Sequence, residues 1–147
     1  MTRPANAPAL QAVTLIRDLQ RKAAERAAAH ADARLRDARD HLEELTAELE
    51  ALHVAWQTST TEGHGGFEAS FRWSAAWRRQ AALCVDHHRQ MAELEADARD
   101  ERQRWESAIG LHDAARTDER RDRIRGRARR DDALVEEMLN GRTGASE

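Results

Sequence analysis

The stretch from Ala24 to Trp56, AERAAAHADARLRDARDHLEELTAELEALHVAW, decides the fold. Its apolar residues stand at Ala24, Ala28, Ala31, Leu35, Ala38, Leu42, Leu45, Leu49, Leu52 and Trp56, in alternating steps of four and three. That alternation is the a/d repeat with which one α-helix winds against another. A strand would alternate every second residue, and a disordered segment would show no period. No Gly or Pro interrupts the stretch.

Working outward from this core, Ile16, Leu19 and Ala23 continue an apolar face with a small slip of register. Asn6-Ala7-Pro8 suits a helix start, because proline has no N–H to lose in the first turn. The first helix is expected over 8–57, with residues 1–7 disordered. The stretch Thr58-Ser59-Thr60-Thr61-Glu62-Gly63-His64-Gly65-Gly66 combines four hydroxyl residues with three glycines and is expected to be a loop. A second helix is expected over 67–139. One seam on it is Ser74, Trp77, Ala81, Cys84, His88 and Met91. Another is Met91, Leu94, Ala98, Glu101, Trp105, Ala108, His112 and Ala115. The two successive steps of three around Met91 read as a stammer, which would overwind the pair locally. Asn140-Gly141 is expected to cap this helix, leaving 140–147 as a disordered tail.

Two long stripes joined by one short break predict an all-α fold: a two-helix antiparallel coiled-coil hairpin, helix 2 longer than helix 1. Its seam should contain Leu35, Leu42, Leu45, Leu49, Leu52, Trp56, Trp77, Met91 and Trp105. In that pairing Leu45 faces the region of Arg79, Leu19 faces Trp105, and Pro8 lies near Arg116. Helix 2 from about Thr117 to Leu139 is then left without a partner, and an isolated helix of that length is marginal in water.

Composition agrees with this reading. Of 147 residues, 35% are charged and 4% aromatic, so the apolar residues suffice for a seam but not for a thick globular core. The net charge of −3 favours neither a nucleic acid nor a membrane in bulk. The single Cys84 cannot form an internal disulfide and fits a reducing, cytoplasmic setting. Met1 to Ile16 has no long apolar run, so neither a secretory signal nor a transmembrane span is expected.

No phosphate-binding Gly-rich loop, HExxH, CxxC or GxSxG pattern is present. A two-helix hairpin also offers no cavity that excludes water from a reaction, so no enzymatic activity, cofactor or small-molecule substrate is expected. The seven histidines include His41, His87 and His88, which the hairpin brings near one another. No further Cys or carboxylate set completes a metal site, and seam or surface roles account for them.

Two clusters point to protein partners. Trp56, Phe67, Phe71, Trp73 and Trp77 flank the break, with only Trp105 elsewhere. They serve either as a hydrophobic plug or as a binding tip, with Phe67, Phe71 and Trp73 as the contact candidates. The run Arg120, Arg121, Arg123, Arg125, Arg127, Arg129, Arg130 falls in the unpaired end of helix 2. Ile124, Ala128, Asp131, Val135 and Met138 form a seam there that lacks a partner, and Leu134 widens it. The run carries no aromatic residue to stack on bases, so no nucleic-acid contact is expected, and an acidic protein partner fits at least as well.

The order His88-Arg89-Gln90, Trp105, Glu119-Arg120, Arg130-Asp131-Asp132 and Glu136-Glu137 resembles the second helix of the FliJ/YscO family. These are the small stalk proteins of flagellar and injectisome type III secretion, and the resemblance covers most of the chain. The absence of Tyr and the abundance of Arg and Ala depart from the flagellar members and lean toward the injectisome side. The resemblance implies a non-catalytic, cofactor-free coiled coil, similar in shape to the central stalk of rotary ATPases. It implies that the chain inserts into a hexameric secretion ATPase, reaches toward the membrane export gate and binds export chaperones. The protein would then be cytoplasmic, peripheral to the membrane-embedded export apparatus. The ATPase-contact candidates are Ile124, Arg125, Arg127, Arg129, Leu134, Val135 and Met138. A nucleic-acid-associated basic helical protein and a generic self-associating coiled-coil scaffold are the competing readings.

Overall fold

The computed structural model describes the backbone of residues 7–61 and 66–143, and the side chains of 8–61 and 66–140. Two helices account for it: α1 spans Ala7–Thr61 and α2 spans Phe67–Thr143. The described chain contains no strand. It falls into two compact units, one of residues Arg26–Gln103 and one of residues up to Glu25 together with those from Arg104.

In the Arg26–Gln103 unit the helices pair antiparallel, because partners on α1 rise in number as those on α2 fall. Asp32 meets Arg102, Arg39 meets Glu95, Leu45 meets Gln80, and Trp56 meets Ser70. The core is small and sits where both helices carry short side chains. Ala31, Leu35 and Ala98 are buried there, with Leu94 packed against them. Ala98 is 2% exposed, since a methyl group lets the two backbones approach while Leu35 fills the space beside it. Leu42, Leu45, Leu49, Leu52 and Trp56 on α1 and Met91 on α2 are half-buried, as one face of a two-helix seam must be.

The structure extends α1 four residues beyond its expected end. Thr58, Ser59, Thr60 and Thr61 are helical, and their hydroxyls, which could compete with the helix, bond instead to carbonyls one turn back: Thr58 to Val54, Ser59 and Thr60 to Trp56, and Thr61 to Gln57. Hydroxyl side chains can bond within their own helix, so of the residues read as breakers these four are not. Glu62 to Gly65 lie outside the described residues. At the far end α2 continues through Asn140 and Gly141 to Thr143, so those two residues do not cap it. The expected disorder of 1–6 and 144–147 lies outside the described residues, whereas Ala7 and 140–143 are helical.

The seam of α2 differs from expectation in register. Its inward positions are Trp73, Gln80, Cys84, His87, Met91, Leu94, Ala98 and Glu101, and the steps from Gln80 onward alternate four and three without a stammer. His87 replaces His88, which is exposed, and Gln80 joins Ala81. Polar residues hold these positions because α1 supplies acceptors. Gln80 Nε2 donates to the Leu45 carbonyl at 3.3 Å and to Glu48 at 2.8 Å. His87 Nε2 lies 3.0 Å from the Ala38 carbonyl, and its ring meets that of His41 edge-on at 4.8 Å. Trp77 keeps a seam spacing, yet it is 38% exposed, because a seam one side chain wide does not enclose an indole.

In the other unit the four-and-three spacing on α1 passes through Leu10, Thr14, Arg17, Arg21 and Ala24. The expected slip of register does not occur. Ile16 and Leu19, expected on the inner face, are 54% and 58% exposed. On α2, Trp105, Ala108, His112, Ala115, Glu119, Asp122 and Gly126 continue the inward positions, and every described side chain from Arg127 onward is exposed. The continuously exposed part of α2 therefore begins after Gly126, about ten residues later than the sequence suggests.

Candidate protein-contact surfaces

The exposed end of α2 is built by helical periodicity on a sequence that opens with an arginine run. Ile124, Leu134, Val135, Met138 and Leu139 are all more than half exposed, and Val135 and Met138 share a face three residues apart. Arg125, Arg127 and Arg129 are exposed and make no ion pair or hydrogen bond among the described residues. Arg121 and Arg123 instead face Asp118 and Glu119, and Arg130 Nε bonds to the Gly126 carbonyl. Successive odd-numbered arginines step about 200° around the helix axis, so the positive charge encircles α2 and does not line one face. All seven residues expected to contact an ATPase thus belong to one exposed segment, 124–138, in which Arg125, Arg127, Arg129 and Arg130 come first and Asp131, Asp132, Glu136 and Glu137 follow.

The tip candidates divide between two sides of α2. Phe67 and Phe71 stand four residues apart on one face, 89% and 63% exposed. Trp73 is half-buried and lines a separate open groove of about 580 Å³ with Gly66, Glu68, Ala69, Arg72 and Ala76. Trp56 donates its indole N–H to Ser70 Oγ at 3.4 Å, which ties α1 to α2 beside this groove. Part of the aromatic cluster therefore closes the hairpin, and part is free.

The sequence reading missed a third surface and a polar cluster. Val13, Leu15, Ile16 and Leu19 are exposed on α1 while charged residues face α2. Inward, Asp18 bonds Lys22 Nζ at 2.8 Å and Arg21 at 3.1 Å, with His112 Nε2 at 3.8 Å. The hydrogen bond from Lys22, and then that from Arg21, hold the Asp18 carboxyl below the ordinary aspartate range. Arg21 Nε and the Trp105 indole N–H are enclosed without a hydrogen-bond partner among the described residues, a cost of about 1–3 kcal/mol for each such donor. The signal for this inversion lay in carrying the heptad of Ala24 and Ala28 backward without a slip, to Arg21, Arg17 and Thr14.

Among the described residues no group of three His, Cys, Asp or Glu is placed to hold a metal ion, and His41 and His87 form only a pair. Cys84 is a free thiol buried in the seam. No described helix is long and apolar enough to cross a membrane. No family model, curated protein or solved structure matches this chain.

Proposed function

We propose that this chain is a non-catalytic coiled-coil stalk of a type III export machinery, of the FliJ/YscO kind. In this reading it couples a hexameric secretion ATPase to the membrane export gate and also engages export chaperones. It works in the cytoplasm, peripheral to the embedded apparatus. The observation that carries the reading is the end of α2. Every side chain of residues 127–138 is exposed, yet the segment keeps an apolar stripe of Leu134, Val135 and Met138, preceded by Arg127, Arg129 and Arg130. An apolar stripe left in water at the end of a long helix is removed from solvent by docking, which favours a protein partner. Arg127, Arg129 and Arg130 stand on different sides of the helix at the start of this segment, which suits a ring that surrounds it. A nucleic-acid duplex would meet one side only, and base-stacking residues are lacking here. In the same reading Phe67, Phe71 and Trp73 form the end that faces the export gate.

The decisive experiment compares the full chain with a chain ending at Gly126, each added to the purified hexameric ATPase. The shortened chain should keep its folded hairpin but neither bind the ring nor raise phosphate release. Val135→Ser with Met138→Ser should weaken binding at every salt concentration. Arg125, Arg127 and Arg129 all changed to Gln should weaken it mainly at low salt, where steering by unscreened charge counts most. If the shortened chain stimulates the ATPase like the parent, the stalk reading is wrong about its contact.

A further inference from the structure

Four large apolar side chains near the start of α1 take no part in the seam: Val13, Leu15, Ile16 and Leu19 are 44%, 61%, 54% and 58% exposed. The inward positions there are Leu10, Thr14, Arg17 and Arg21, and Ala12, Ile16, Leu19 and Ala23 each stand two residues later. Two residues turn a helix by about 200°. Ala12, Ile16, Leu19 and Ala23 therefore form a second line, in steps of four, three and four, on the side of α1 away from α2. Val13 and Leu15 flank it on either edge. The line carries no charge, and Lys22 beside it gives its charge to Asp18 at 2.8 Å.

We propose that this outer line pairs with the same line on a second copy of the chain, α1 against α1, antiparallel about a two-fold axis between Arg17 and Asp18. The line is self-complementary about that point. In antiparallel pairing Ile16 meets Leu19 of the second copy and Ala12 meets its Ala23, so large residues fill the centre and small ones let the helices approach on either side. Leu15 lies beside Lys22 of the second copy, whose methylene stem covers it while the ammonium stays with Asp18. Arg17 and Arg21 take inward positions and stay out of the contact, so no like charges face one another across it. A charged partner would find nothing to pair with on this line, whereas a second copy offers the same uncharged surface. Two copies bring together roughly 1,000 Å² of apolar surface, at the lower limit for a specific interface, so the dimer is weak and forms at about micromolar concentration or above. The contact shares no residue with segment 124–138, and its failure leaves the ATPase contact of α2 untouched.

The test is sedimentation velocity of the full chain from about 5 µM to about 500 µM. The parent should pass from monomer to dimer across that range and show nothing larger. Ile16→Ser with Leu19→Ser should raise the dissociation constant at least about tenfold, since each copy loses two apolar contacts. Helicity should persist, because both side chains face water in the monomer. Val135→Ser with Met138→Ser should leave the dimer at the parent value. Orientation is read by disulfide formation in a Cys84→Ala background. An equal mixture of Ile16→Cys chains and Leu19→Cys chains should cross-link several-fold faster than either alone. A parent that stays monomeric at about 500 µM overturns the proposal, as does an Ile16/Leu19 variant that associates like the parent. Larger assemblies that vanish in the Val135/Met138 variant also overturn it, since they would seat the end of α2 from one copy on α1 of the next. Faster cross-linking by Ile16→Cys chains alone overturns the antiparallel pairing.

Discussion

Leu35→Ala and Leu83→Ala delete the same three carbons from the two faces of the Arg26–Gln103 unit. Leu35 on α1 is 6% exposed and packs with Ala31 and Ala98, whereas Leu83 on α2 is 52% exposed. At about 0.8 kcal/mol per buried carbon, the loss at Leu35 is roughly 2.4 kcal/mol from transfer alone. The cavity adds little, because a two-helix seam lets neighbours and water close in, so the total stays near the low end for Leu→Ala, about 2–3 kcal/mol. At Leu83 about half of those atoms are already in water, and alanine is the better helix former by a few tenths of a kcal/mol. The expected loss there is about 1 kcal/mol or less. For a chain of this size about 2–3 kcal/mol corresponds to a fall of roughly 5–10 °C in melting temperature. Thermal unfolding followed by circular dichroism at the helical band measures both variants. Equal melting temperatures for the two, or a Leu35→Ala loss below about 1 kcal/mol, would refute the assignment of the seam to this face.

The register makes its own prediction. His87→Ala should cost about 1 kcal/mol by removing the contact with the Ala38 carbonyl, while His88→Ala should change urea stability by less than about 0.5 kcal/mol. A larger effect at His88 would restore the stammer. Ile16→Ala should leave the melting temperature unchanged or slightly raised, because Ile16 faces water; a loss of several degrees would put it back in the seam. The depressed Asp18 carboxyl has a defined sign. The unfolded chain takes up that proton more readily than the folded one. Its contribution is therefore complete above the ordinary aspartate range and is lost as pH falls through the lowered folded value. Asp18→Asn should remove part of the acid sensitivity in melts taken between neutral and strongly acidic pH; an unchanged acid profile would count against the Lys22 and Arg21 contacts. Arg102→Gln should cost no more than about 1 kcal/mol, since its bond to Asp32 at 2.7 Å lies on a half-exposed surface. A larger loss in a salt-dependent melt would show that the pair specifies the alignment.

The heptad of Ala24 to Trp56 determined by itself that α1 is a coiled-coil helix, and the glycines at 63, 65 and 66 marked where the chain breaks. Apolar side chains at steps of four and three need one continuous partner face, and a chain with a single break supplies one only by folding back. The same periodicity made the exposure of Val135 and Met138 legible, because α1 is too short to cover them. Other features depended on the partner helix. Gln80 and His87 belong to the seam because carbonyls of Leu45 and Ala38 stand opposite, and a count of apolar residues passes over them. Thr58 to Thr61 are helical with their hydroxyls bonded to the preceding turn, which composition does not distinguish from a loop. The orientation of α1 before Ala24 was likewise a tertiary decision. There the polar contacts of Asp18, Arg21 and His112 take the inner face and leave Ile16 and Leu19 outside. Hydrophobic pattern specifies the existence and length of a stripe. Which of two competing stripes meets the neighbour is set by the acceptors, charges and small side chains that the neighbour presents.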